Sequence, residues 1–223
     1  FSRLDDNARV LREAYRILAD DVHRGQFVPS AAEWLLDNFH LIESEIRGIR
    51  HNLPRQYYLA LPKLAPREMA GIARVYAMAL ELIRHTDGRL DRQQLVRFMA
   101  AYQTVAPLTI GELWAWPSMV KLALIENLRR LADETLQGRD ARLRADGYLA
   151  QIGGAGDAAP LPPLPEVLET AYVVRLLQRM REYGPLVSPV RAAVEERLAA
   201  QGMTAEDSIR TEHQSQAAAQ VSV

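Results

Sequence analysis

Cysteine is missing from all 223 residues. That removes disulfides, thiolate metal ligands and cysteine nucleophiles together, and it suits a reducing compartment. An excess of one charge is missing too. The 27 basic and 28 acidic residues leave a formal net charge of -1, without the basic surplus of a general nucleic-acid binder, so no nucleic-acid partner is expected. No run reaches the about 20 apolar residues that cross a bilayer. The most apolar stretch, Leu113 to Leu124, is interrupted by Pro117 and Lys121, so this piece carries no expected transmembrane segment. No secretory leader is visible, and no alternating β-branched run offers a strand. Phosphate-cradling Gly-x-x-x-x-Gly-Lys, Gly-x-Gly-x-x-Gly after a strand, and His-Glu-x-x-His are all absent. The chain opens on Phe1-Ser2-Arg3 without an initiator Met and ends on Gln220-Val221-Ser222-Val223. Both ends are expected to be boundaries within a longer polypeptide.

What is present is helical rhythm. Hydrophobic residues make up 48% and charged residues 25%, enough for a sizeable core. Leu4, Val10, Leu11, Tyr15, Leu18 and Val22 recur at three-, four- and seven-residue steps, which predicts one helix from about Asp5 to His23, ended by Gly25. Ser30 and Glu33 are spaced as a capping box. The helix they open buries Trp34, Leu35, Phe39, Ile42, Ile46 and Ile49, and Pro54 stops it. A short helix is expected over Arg55 to Leu61 and a longer one over Arg67 to His85, closed by the turn dipeptide Asp87-Gly88. Asp91 caps the next, with Leu95, Phe98, Met99 and Tyr102 on its face and Pro107 as its breaker. Thr109 and Glu112 form a second capping box. A helix from there to about Gln137, kinked near Pro117, is followed by a charged helical stretch, Arg139 to Ile152.

Gly153 to Pro165 reads as a linker, with Leu161-Pro162-Pro163-Leu164-Pro165 extended. Beyond it lie a helix over Glu166 to Tyr183, one capped by Ser188 with Pro189 at its first position, and a last segment capped by Thr204. The expected organisation is a main helical domain over 1–152, a Gly/Pro-rich linker over 153–165 and a C-terminal helical segment over 166–223, cut short at its end. The fold class is all-α, a multi-helix bundle or stacked helical hairpins.

Chemistry-bearing residues are few. His40-x-x-Glu43 sets an imidazole and a carboxylate on one helix face. Bundle metal sites need Glu-x-x-His on two helices plus further carboxylates, so no metal is expected and a hydrogen bond is the simpler role. Glu112, Trp114 and Trp116 sit in the first turns of one helix. Indole faces stack on sugar rings and a carboxylate grips hydroxyls, while the simpler role is a cap beside core or interface tryptophans. Tyr57, Tyr58, Trp34 and Phe39 divide the same way. Glu126-Asn127-Leu128-Arg129-Arg130 is a charge cluster expected to form a solvated face. Asp207 and His213 with Ser208 or Ser215 lack the nucleophile elbow of a triad. No catalytic residue and no cofactor are assigned.

Three blocks carry a resemblance: Ala31 to Ile42 (AAEWLLDNFHLI), Pro107 to Ala115 (PLTIGELWA) and Leu124 to Leu131 (LIENLRRL), with Asn52 to Leu64 (NLPRQYYLALPKL) between the first two. In this order they resemble the region preceding the glycosyltransferase domain of bacterial cyclic β-1,2-glucan synthases. The likeness spans about Leu4 to Ala132 and resumes from Glu212 to Val223. Arg74 to Leu80 resembles the family too, although Gly71-Ile72-Ala73 departs from the usual Gly-Tyr-Pro wording, which bears on a turn there. The resemblance implies an inner-membrane parent that polymerises glucose from UDP-glucose, with the transfer assigned to a separate downstream domain.

Three readings follow. The favoured one is a non-catalytic accessory domain at the cytoplasmic face of the inner membrane. It supports the transferase domain or holds glucan near Trp34, His40, Glu43, Glu112, Trp114 and Trp116, with the other domains of the parent chain and β-1,2-glucan as partners. The second is a purely structural docking domain for the rest of the parent chain, whose motif faces are buried or form a flat apolar patch. The third is an autonomous glycoside-active enzyme, which requires paired carboxylates in a cleft.

Overall fold

A computed structural model describes the backbone of residues 2–65, 70–86, 88–155, 161–183 and 187–221, and the side chains of all of these except 155 and 215–221. Among them the regular elements are nine helices and no strand. The helices are α1 (Ser2–His23), α2 (Ser30–Asn52), α3 (Arg55–Ala60), α4 (Arg74–Thr86), α5 (Arg92–Val105), α6 (Ile110–Ala155), α7 (Thr170–Met180), α8 (Ser188–Ala200) and α9 (Ala205–Val221). The all-α expectation holds. The described residues form two compact units, 2–132 and 133–221.

In the first unit, α1 and α2 make an antiparallel hairpin. Asp5 pairs with Arg50 and Arg12 with Glu43, so the numbers rise on one helix as they fall on the other. Tyr15 stacks on Phe39 between them, with ring centroids 4.4 Å apart. The buried stripe of α1 is Leu4, Asn7, Ala8, Leu11, Ala14, Leu18 and Asp21. Val10 and Tyr15 are only partly covered and Val22 is exposed, so the stripe is rotated from the expected one and includes small and polar residues. Gly25 ends the hairpin's first arm with φ +66, a conformation that suits a residue without Cβ.

Helix α2 starts differently from the expectation. Pro29 is its cap and Ser30 is its first residue, because the Glu33 amide donates to the Pro29 carbonyl at 3.1 Å. Pro54 follows its C-cap, Leu53, as expected. The helix expected to begin at Arg67 begins at Arg74. Residues 66–69 lie outside the described set, and Lys63 and Ala73 form an antiparallel bridge. Gly71 takes φ +81 inside that excursion, the place where the family wording departs. Asp87 of the expected turn also lies outside the described residues, and Gly88 has φ +76.

The expected break near Gln137 does not occur. Helix α6 runs 46 residues with Pro117 and Gly138 inside it. Proline costs one amide donor and glycine costs propensity, but packing on buried faces on both sides of these residues offsets the loss. The second half of α6 supplies Ala141, Ala145, Tyr148, Leu149 and Ile152 to the core of the second unit. They join Leu168 to Met180 around α7 and Val190, Val194 and Leu198 of α8. The division between units therefore falls inside α6, and the Gly/Pro-rich stretch lies within the second unit. Residues 156–160 of that stretch are outside the described set. Residues 161–165 carry no helix, and Tyr148 donates its hydroxyl to the Pro162 carbonyl at 2.9 Å. Helix α7 starts at Thr170 rather than Glu166. Helix α8 has Val187 as its cap, with Pro189 in its first turn.

Candidate functional site

Glu112 is the most constrained polar group of the first unit. Its side chain has no exposed surface. The Thr109 amide donates to its carboxylate at 2.9 Å, and the Glu112 amide donates back to the Thr109 hydroxyl at 3.2 Å, completing the expected capping box. Arg74 of α4 then closes on the same carboxylate with two bonds, Nε at 2.8 Å and Nη2 at 2.6 Å. A buried carboxylate needs such compensation, since its charge has lost water. Arg74 also donates to the Pro107 carbonyl and lies 5.9 Å from the Tyr102 ring centroid. Burial pushes the Glu112 carboxyl upward, but the bonds from Arg74 and Thr109 outweigh it and hold it below the ordinary carboxylate range. Tyr57 donates its hydroxyl to the Gly111 carbonyl, which ties α3 to the same turn.

A second polar cluster sits further along α6. Tyr76 donates to the Glu126 carboxylate, and Arg3 reaches the same group at 3.1 Å. Burial, then the bond to Glu126, raises the Tyr76 hydroxyl well above its usual value. Glu126 is thus a partly buried tie between α1, α4 and α6, which corrects its assignment to a solvated face. Glu43 accepts from Arg12 at 2.6 and 3.2 Å. That hydrogen bond lowers its carboxyl, against the upward push of burial.

The six candidate sugar contacts do not share one surroundings. Glu112 is sealed in its cap and Trp116 is 9% exposed, stacked on Phe98 at 6.0 Å. Trp34 is half-buried and His40 exposed, both on α2. Glu43 is held by Arg12. Trp114 alone is largely bare, at 78% exposure. Among the described residues no hydrogen bond or ion pair joins His40 to Glu112, and no three His, Cys, Asp or Glu side chains gather as a metal set. Asp207 caps α9 with Thr204, and Ser208 donates to the Thr204 carbonyl. Both are structural.

Sequence reasoning missed Arg74, Tyr102 and Tyr57 as partners of the second capping box. A glutamate expected near core tryptophans signals a need for a cation, but nothing local says which one. In the second unit, a hollow of about 710 Å³ opens between α7, α8 and α9, with Leu177, Met180 and Ile209 on its apolar part and Arg181, Arg191 and Glu195 on its polar part. Tyr172 on α7 is buried, and among the described residues its hydroxyl has no hydrogen-bond partner. Burial, then Tyr148, pushes that hydroxyl up to about 12.

These features define a helical module in which Glu112, Glu126 and Glu43 are spent on ties between its own helices. A related segment is found in a known enzyme of sugar polymer synthesis. The chain is 34% identical, over 216 residues and 95% of its length, to the cyclic β-(1,2)-glucan synthase NdvB of Rhizobium meliloti (strain 1021). The resemblance read from the sequence blocks is upheld by that match. The aligned part is 8% of NdvB, so the chain spans a small fraction of the relative's length. No family model matches the chain.

Proposed function

We propose that this chain is a non-catalytic accessory helical module of a cyclic β-1,2-glucan synthase. In this reading it supports the part of a longer polypeptide that transfers glucose from UDP-glucose, at the cytoplasmic face of the bacterial inner membrane. Its partners are the other domains of the same chain. The carrying observation is the use made of three acidic groups in the family-like span from Leu4 to Ala132. Glu112, Glu126 and Glu43 each end on an arginine or tyrosine from another helix. Such groups hold helices together and are not free to hold a sugar or move a proton. No helix among the described residues is long and apolar enough to cross a membrane, so membrane attachment in this reading belongs to other parts of the longer chain.

A second reading keeps one observation of its own. The bare Trp114 indole offers a stacking face for a glucose ring, so the module holds glucan. Titration calorimetry with linear and cyclic β-1,2-glucans separates the two, because only the second predicts heat that Trp114→Ala abolishes. The accessory reading itself is tested in the full-length synthase. Deleting this segment, with the rest still expressed in membranes, is expected to cut synthesis of cyclic glucan from UDP-glucose. Unchanged synthesis overturns it, as does glucose transfer by the 223-residue chain alone.

A further inference from the structure

Helix α6 is apolar on two opposite faces over its first turns. The inner face is Ala115, Trp116, Met119 and Ala123, all buried. The outer face is Ile110, Leu113, Trp114 and Pro117, at steps of three, one and three, and all four are exposed. Those steps place them in one stripe. A helix apolar on both sides is ordinarily covered on both.

Helix α5 continues the shoulder. None of its 14 residues is buried. Its last residue, Val105, is 86% exposed, and Ile110 across the short turn is 73% exposed. From Phe98 to Val120 the sequence holds one Asp, Glu, Lys, Arg or His, Glu112, and that one is sealed against Arg74. Between Arg97 and Lys121 the exposed part of the shoulder is therefore mainly apolar around one large aromatic anchor, with only Gln103, Thr104 and Thr109 as exposed polar side chains and no exposed charge.

This surface selects its occupant by chemistry. A sugar site pairs its aromatic face with exposed polar groups, and here the neighbours of Trp114 are aliphatic. An amphipathic membrane-surface helix couples its apolar face to a row of lysine and arginine, whereas here only Arg97 and Lys121 flank the stripe and Lys121 is paired with Glu45 at 2.6 Å. A neutral apolar patch with a central tryptophan fits a protein interface. The related segment of NdvB is 8% of its polypeptide, so a covalently tethered partner surface is always at hand. Tethering replaces affinity with effective concentration, so a small patch suffices.

We infer that the α5–α6 shoulder, centred on Trp114, Ile110 and Val105, is the docking face of this module for an apolar surface elsewhere in the same synthase polypeptide. The inference rests on the accessory reading and names its contact.

The test uses the full-length synthase in membranes, with p-benzoylphenylalanine at Trp114 and, as a control off the shoulder, at Val22. Illumination at Trp114 is expected to join the shoulder to the same polypeptide outside this segment, at sites that the Val22 probe does not reach. Adducts to lipid only, to a second copy only, or none at all overturn the inference. The exposed double change Ile110→Ser with Trp114→Ser is expected to lower glucan output several-fold while leaving the unfolding midpoint of the 223-residue chain unchanged. Full output from this variant, in a synthase that loses synthesis when the segment is deleted, overturns the inference. Deletion of the whole segment keeps the two ideas apart. Lost synthesis with lipid-only adducts leaves an accessory module and removes the docking face. Intact synthesis with adducts inside the polypeptide leaves the docking face and removes the accessory role.

Discussion

Two helices of this chain open on the same pattern, a threonine followed three residues later by an acid. At α6 the acid is Glu112, sealed from water and gripped by Arg74. At α9 it is Asp207, which accepts from the Thr204 amide at 3.2 Å and hydroxyl at 2.7 Å and stays in solvent. The hydrogen bond from Thr204 holds the Asp207 carboxyl below its usual value. The local bonding is nearly the same in the two places. What differs is what else the acid touches. Glu112 is where α4, the end of α5 and α6 are fastened together, while Asp207 serves its own helix. A capping motif tells where a helix begins, and burial decides whether it also holds the tertiary structure.

That contrast can be broken by mutation. Glu112→Ala removes the cap and leaves Arg74 one-fifth exposed without its anion. Because breaking a buried pair is costly, we expect about 3 kcal/mol of lost stability, read by urea unfolding of the 223-residue chain. A loss no larger than that of an exposed cap contradicts the fastening role. The same pair sets a pH dependence. The folded carboxyl of Glu112 lies below its unfolded value of about 4.3, so the unfolded chain takes up the proton first as acid is added. The stabilisation is full above that value and is lost as pH falls through the folded one. Glu112→Gln is expected to flatten that part of the acid limb of stability against pH, and an unchanged limb would sink the assignment.

The tryptophans two residues apart sharpen the contrast next. Trp116→Ala empties a buried site against Phe98 and is expected to cost about 3 kcal/mol. Thr204→Ala removes only the local cap of α9 and is expected to cost about 1 kcal/mol, with a smaller flattening of the acid limb than Glu112→Gln because the Asp207 carboxyl rises once the Thr204 hydroxyl is gone. Trp114→Ala is expected to stay within about 0.5 kcal/mol of the parent, since its side chain stands in solvent. The check on all three is the same denaturant series, and a reversed order of Trp114 and Trp116 would overturn their placement.

The parts of this fold legible in the sequence are the local ones. Asp91 bonds the Gln94 amide as a cap, Thr109 and Thr204 open their helices, and Pro54 and Gly25 end theirs. Each signal involves residues within one turn. The illegible parts depend on residues far apart. Arg74 lies 38 positions from Glu112, and no periodicity links them. Pro117 and Gly138 read as interruptions because the sequence does not display the buried faces that carry α6 past both. Ala141 and Ala145 look like ordinary helix formers, yet they are fully buried. Small side chains there, and Gly138, where an added Cβ would stand 4.0 Å from the Ala171 methyl, let α6 and α7 approach closely. Of the six candidate sugar contacts, helical spacing could say that Trp114 and Trp116 face apart, but not which of the two is inside.

The measurement that bears most directly on the account is amide hydrogen exchange over residues 104–114, taken in the 223-residue chain alone and again in the full-length synthase. If the shoulder is covered by the rest of the polypeptide, exchange there slows in the longer protein while α1 exchanges as before. Equal exchange in the two samples would contradict docking through this face.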